Sequence, residues 1–260
     1  MDRNNTIEFE EDNPSINREE IEQALSDFAS ANGLTDLFYC YDICANTEIN
    51  QNDDPDKLCN RFKKRARIFF SSENGRDYFK TVIIGYVLKD RHLRAKFEKK
   101  LFQRNYVREC VCAYDKLAGG ASKTEELHEN FGYQKKFELV MPCPRNSHFF
   151  ARFIIMTSNH DMDEAGVLRE LKPKLVELHK DFANQYISSI NPVIDYQYIK
   201  ANSLRVLESL AKGLSRKEAA EKLYLTVRGI DYHIELMKTA LAAPNIPNAI
   251  YKACALSLIR

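Results

Sequence analysis

The stretch from Ile199 to Arg260 constrains this chain more than any other. Apolar residues recur there at helical spacing, and caps and stops divide the run into four short helices. In the first, Leu204, Leu207, Leu210 and Ala211 line one side and Gly213 ends the run. Ser215 and Glu218 form an S-x-x-E capping box that opens the second. Its small inner face, Ala219, Ala220 and Leu223, admits a close helix crossing. Tyr224–Leu225 is the turn, and Thr226 is a good N-cap for the third helix. That helix carries an apolar stripe (Ile230, Ile234, Met237, Leu241) and an opposite face of Arg228, Asp231, Tyr232, Glu235 and Lys238. One stripe packs on its partners, and the other face is left to enter the major groove of double-stranded DNA. Pro247 suits the first turn of the fourth helix. Its Ala249, Ile250, Ala253 and Cys254 can pack on the domain or on a second copy.

Charge supports this division. From Lys200 on, ten Lys and Arg face five Asp and Glu, a net of +5; the remainder of the +1 chain is therefore −4. A basic small domain beside an acidic larger one suits nucleic-acid binding by the former. The 260 residues have room for two domains, and 44% hydrophobic with 29% charged residues is the composition of a soluble protein. The N-terminus is polar and acidic (Glu8, Glu10, Glu11, Asp12), and no apolar run approaches the ~18 residues of a membrane span. The expected location is the cytoplasm, without membrane contact. Seven cysteines (40, 44, 59, 110, 112, 143, 254), an odd number without C-x-x-C pairs, read as small buried hydrophobes. They argue against a disulfide framework or a zinc site. No metal or cofactor is expected.

Residues 1–14 read as disordered, 15–190 as one domain, 191–199 as a linker and 200–260 as the helical domain. Asn17 with Glu20 resembles a capping box opening a helix with Ile21, Ala24, Leu25 and Phe28 on one face. Strands are expected at 37–44, 66–70 and 107–114, and a hairpin at Phe137–Met141 and Phe149–Thr157. Helical stretches fall at 77–88, 93–102 and before Asn130. A long helix spans Glu164–Ile190, with a possible break at Pro173. The class is α+β: an α-β-α sandwich with a largely antiparallel five-stranded sheet, followed by an all-α four-helix unit. The basic runs 61–67 (RFKKRAR) and 89–104 read as solvated faces, with a second phosphate contact as the alternative.

The tail resembles the DNA-binding domain of LuxR-type transcription factors. The matching residues are Gly213-Leu214-Ser215, Lys217-Glu218-x-Ala220, Leu223, Leu225-Thr226, Ile230, His233, Leu241, Asn245, Ala249 and Leu258-Ile259. The resemblance implies that the third helix reads the major groove and the fourth helps a homodimer form. It makes Lys217, Thr226 and Lys238 phosphate contacts and turns Val227, Arg228 and Asp231 to the bases, with Tyr232 beside them. Three positions depart from the family. Gly229 stands where Thr is preferred, at about 1 kcal/mol of helix propensity against Ala. Asp231 stands where Lys or Asn is usual, and a carboxylate there either accepts from cytosine N4 or repels DNA. Ser203 replaces a usual Glu.

The first domain resembles the autoinducer-binding domain of acyl-homoserine-lactone receptors, most clearly from Ala66 to His92. Asp90 falls where the family keeps an Asp that accepts the ligand's amide N–H; as an acid between Lys89 and Arg91 it reads equally as a surface or capping residue. The family's pocket Tyr, Trp and Tyr fall on Glu73, Asp77 and Thr81. A second Trp falls near Ala113, the pocket Ser or Thr on Ile155, and a small residue on Arg152. The chain contains no Trp at all. The usual lactone contacts are thus replaced, and each lost polar partner costs a ligand roughly 1–3 kcal/mol. The pocket then takes a different small molecule, or is filled by Phe69, Tyr78, Tyr106 and Phe153.

The expected function is transcriptional control by a dimer. A second reading is an interaction protein that pairs with a related regulator and blocks it, its own DNA contact weakened by Gly229 and Asp231. An enzyme is disfavoured, because no motif pairs any Cys with any of the six His.

Overall fold

Alternation with a period of two sorts the strand residues onto two apolar faces, and helices cover both. The computed structural model describes residues 17–43, 68–87, 110–113, 127–144, 149–191, 193 and 199–260. Asp90, Tyr106, both basic runs, residues 1–14 and the stretch 93–102 lie outside these described residues. The first helix is α1 (Arg18–Ala31), and the strands are β1 (Asp36–Ile43), β2 (Ile68–Phe70), β3 (Cys110–Ala113), β4 (Lys135–Pro142) and β5 (Phe149–Thr157). They form one sheet in the order β2-β1-β5-β4-β3, every neighbouring pair antiparallel. The molecule is mixed helix and sheet, as expected.

On one sheet face, Leu37, Tyr39 and Tyr41 of β1, Leu139 of β4 and Phe153 and Ile155 of β5 pack against Ile21 and Leu25 of α1. The same face meets Leu175, His179 and Phe182 of a C-terminal helix. On the other face, Phe38, Cys40, Phe70 and Met156 pack against α2 (Glu73–Tyr78) and its continuation. That continuation, Phe79–Val87, is wound as a π-helix and contributes Phe79, Val82, Ile83 and Ile84 to the core.

Several expectations are corrected. The box at Asn17 does not form: Asn17 N-caps α1 without a side-chain bond to the helix. Its amide N–H donates to Ser189 Oγ (3.1 Å), and its Oδ1 accepts from that hydroxyl (3.0 Å). The helix placed at 77–88 starts four residues earlier, because Ser72 caps it by accepting from Gly75 N–H (3.0 Å). The long helix is not broken at Pro173. It runs through α3 (Glu164–Gly166), a π-wound stretch Val167–Leu171 and α4 (Lys172–Gln185), and breaks at Tyr186 before α5 (Ile187–Ile190). Pro173 lacks an N–H and its ring presses on the carbonyl four residues back. The wider π turn immediately before it absorbs that clash. Of the described cysteine side chains, Cys40 and Cys143 are buried, but Cys254 is exposed.

Four helices follow: α6 (Ala201–Ala211), α7 (Arg216–Leu223), α8 (Val227–Ala240) and α9 (Ile246–Ala255). In the stretch read as a linker, Asn191, Val193 and Ile199 are buried. No described helix is long and apolar enough to cross a membrane.

Candidate nucleic-acid interface

The α6–α7 corner turns on Gly213, whose φ of +86° places it where only glycine is unstrained. Ser215 and Glu218 then bond reciprocally: Ser215 N–H donates to Glu218 Oε2 (2.8 Å), and Glu218 N–H to Ser215 Oγ (3.2 Å). Bonds from Ser215, side chain first and backbone second, hold the Glu218 carboxyl below its ordinary range. α7 stops at Tyr224, a left-handed residue at φ +55°, where Leu225 N–H reaches back to Ala220 O (2.9 Å). Thr226 caps α8 by accepting from Gly229 N–H (3.0 Å). A Cβ added to Gly229 would stand 3.3 Å from that same Thr226 hydroxyl, so a side chain there shifts the cap by a few tenths of an ångström.

The three-residue junction lets α7 and α8 cross closely because Ala219 and Ala220 are small. Both are buried with Val206, Ile230 and Ile234 in one cluster. Met237 and Leu241 continue the stripe into the larger core. His233 Nδ1 and Ser203 Oγ lie 3.0 Å apart, which fastens α8 to α6. Ser203 thus has a partner within the bundle that sequence alone did not suggest.

The outer side of this corner is exposed. Tyr224 is 96% exposed, Tyr232 58% and Val227 45%, all large apolar groups in water. Lys217, Thr226, Arg228 and Asp231 are exposed too. Lys238 differs: its ammonium donates to both carboxylate oxygens of Glu235 (2.9 and 3.0 Å), which offsets its charge. Asp231 is not a lone carboxylate, for its Oδ1 lies 3.2 Å from Nε of Arg216. Arg216 joins the exposed surface of this corner, a residue that sequence reasoning passed over; the signal was its place as the first residue after the Ser215 cap.

Among the described residues, the candidate ligand residues Glu73, Asp77, Thr81 and Ile155 are not brought together. Glu73, Asp77 and Thr81 point outward to solvent, while Gly75, Tyr78, Phe79 and Val82 turn to the sheet. Ile155 is fully buried on the opposite sheet face, among α1 and α4. In a strand a shift of one residue changes the face, and it is Ile154 and Met156 that turn towards Tyr78. Of the side chains named as possible fillers, Tyr78 lies on that face, and Phe69 and Phe153 on the other.

Arg152 carries the charge of the sheet interior. Its guanidinium pairs with Glu138 of β4, lies 3.5 Å from Asp42 of β1 and stacks over Phe150 at 5.5 Å. Asp42 is fully buried. A second polar group, unforeseen from sequence, centres on buried Asp36. It accepts from the hydroxyls of Ser71 (2.9 Å), Tyr133 (2.6 Å) and the helix cap Ser72. Burial first, and the Asp36 carboxylate second, push the Tyr133 phenol well above its ordinary pKa. Tyr78 OH lies 2.8 Å from Nε2 of His128, whose pKa is lowered to about 4 by burial and then by Lys136. Among the described residues, no group of three or more His, Cys, Asp or Glu is placed to hold a metal ion.

No protein-family model matches the chain, and no curated protein does. Among solved structures it is similar to Escherichia coli SdiA, with 13% identity over 93% of this chain and 91% of that one, at a TM-score of 0.41. It is also similar to SdiA in complex with octanoyl-rac-glycerol, with 14% identity over 92% and 88%, at a TM-score of 0.42.

Proposed function

We propose that the chain is a LuxR-type transcriptional regulator that binds double-stranded DNA as a homodimer in the cytoplasm, with α8 in the major groove. The observation that carries this reading is the α7–α8 corner. It has two capped helices, a three-residue junction and an outer face on which Val227, Arg228 and Tyr232 stand in water. Thr226 and the first free N–H groups of α8 are suited to one phosphate, and Lys217 to another. α9 leaves Tyr251 (70% exposed) and Cys254 on its surface as the dimer contact. Two-fold symmetry then asks for a roughly palindromic site with half-sites about one helical turn apart.

The sheet domain is the regulatory part. Arg152, Asp42 and Glu138 form a charged group on the face toward α2, to which a ligand with polar groups can hydrogen-bond. The ligand class that suits this face is therefore polar.

Selection from a random duplex library with the purified full chain, repeated at several salt concentrations, tests the proposal. It predicts a two-fold symmetric consensus and an affinity that falls steeply with salt. Binding without sequence preference, or no binding, contradicts it.

A further inference from the structure

The Arg216–Asp231 pair bridges the two helices of the proposed DNA-binding corner. Arg216 is the first residue of α7, and Asp231 lies in the second turn of α8, on the face that also carries Arg228 and Tyr232. An acid on a DNA-facing helix is unfavourable by itself, because the phosphates repel it. Here its Oδ1 lies 3.2 Å from one nitrogen of Arg216, the Nε, and the two charges offset each other. The terminal nitrogens of Arg216 have no partner among the described residues, and both side chains are about half exposed (55% and 50%).

A guanidinium paired with a carboxylate on its Nε side keeps the edge formed by its two terminal nitrogens free. That edge matches the O6/N7 pair of guanine in the major groove. A phosphate partner fits less well, since Asp231 would stand beside the same anion, whereas the guanine edge carries no formal charge. We propose that Arg216 reads a guanine in each half-site, and that Asp231 is the positioning residue that aims it. The inference rests on the DNA-binding reading above. It gives Asp231 a constructive part, where sequence alone left it either accepting from a base or repelling DNA.

Library selection and affinity titration with the full chain and with Arg216→Ala, Arg216→Lys and Asp231→Asn test it, with circular dichroism to check that each variant is folded. Arg216→Ala is expected to lose preference for guanine at one position of each half-site. Its affinity for the wild-type consensus falls roughly 5- to 150-fold, the worth of one bidentate base contact. Arg216→Lys is expected to recover little of that preference, because an ammonium has no fork. Asp231→Asn is expected to weaken the same preference although it removes a negative charge. Tighter binding by Asp231→Asn with the guanine preference intact overturns the positioning role. Uniform weakening by Arg216→Ala across all duplexes, with a salt slope smaller by about one, makes Arg216 a phosphate contact and overturns the proposal. Wild-type protein that selects no sequence overturns this inference together with the DNA-binding reading; the other two outcomes leave that reading standing.

Discussion

Tyr224 occupies a backbone region that costs an L-residue roughly 1 kcal/mol, and its side chain gains almost no burial in return. Tyr224→Gly is therefore expected to raise stability by about 1 kcal/mol in urea unfolding, a gain that leaves the tyrosine to be explained by what it meets outside the chain. His179 is the opposite kind of residue, fully buried between Tyr39, whose hydroxyl lies 3.0 Å from Nδ1, and the Tyr41 ring, with no partner for Nε2 among the described residues. Burial lowers its pKa from 6.5 to about 4. The unfolded chain thus binds a proton that the folded one refuses across that window. The contribution is complete above pH 6.5, is lost at up to about 1.4 kcal/mol per unit as pH falls, and flattens below about 4. Unfolding free energies measured between pH 4 and 7 should show this slope, and His179→Phe should reduce it. Neither residue was legible in the sequence. A single tyrosine gives no sign of a left-handed backbone, and one histidine in an apolar helix gives no sign of which atoms it will meet. Asp36 was hidden for the same reason, since its partners Ser71, Ser72 and Tyr133 come from distant segments.

Element by element, the helical tail was the readable part. Its signals are local, and the box at Ser215–Glu218, the stop at Gly213 and the cap at Thr226 each act within a few residues. Thr226→Ala is expected to cost about 1 kcal/mol of stability through the lost Gly229 N–H partner, measured by thermal or urea unfolding of the full chain. It should also weaken DNA binding, which a purely structural cap would not. The same reasoning failed at Asn17, where the S-x-x-E type of pattern was present but a contact with Ser189 claimed the side chain. The sheet domain was readable in its strands and less so in their sides. Ile155, expected in one pocket with Glu73, Asp77 and Thr81, lies on the other sheet face from their helix, because strand register depends on pairing, here Leu37 with Ile155 and Phe137 with Ile155, and pairing is not local. The π-wound stretches at 79–87 and 167–171 had no sequence signal apart from Pro173.

Across the whole molecule, the buried apolar core does not stop at the end of the sheet domain. It passes through Ile190, Val193 and Ile199 to Leu204, Met237, Ala253 and Leu256 of the helical tail. Asn191 anchors this passage. Its side-chain amide donates to the carbonyls of Leu256 and Ser257 (3.3 Å each), and its Oδ1 accepts from Val193 N–H (3.0 Å). Asn191→Leu leaves buried polar atoms unpaired and should cost about 1–3 kcal/mol. If this contact couples the two parts, its loss broadens the unfolding transition or splits it in two, which fluorescence and circular dichroism followed together would reveal. Of the stretch expected to be a linker, Asn191, Val193 and Ile199 are buried parts of this connection.

A photocrosslink tests most directly the proposal that DNA lies against the tail. Tyr232→p-benzoylphenylalanine places a reactive group on the outer face of α8, and Leu168→p-benzoylphenylalanine places one on an exposed position of the sheet domain. With the selected duplex bound, the account predicts crosslinks from position 232 to bases of the half-site and none from position 168. Crosslinks of equal yield from both positions, or from 168 alone, would contradict it.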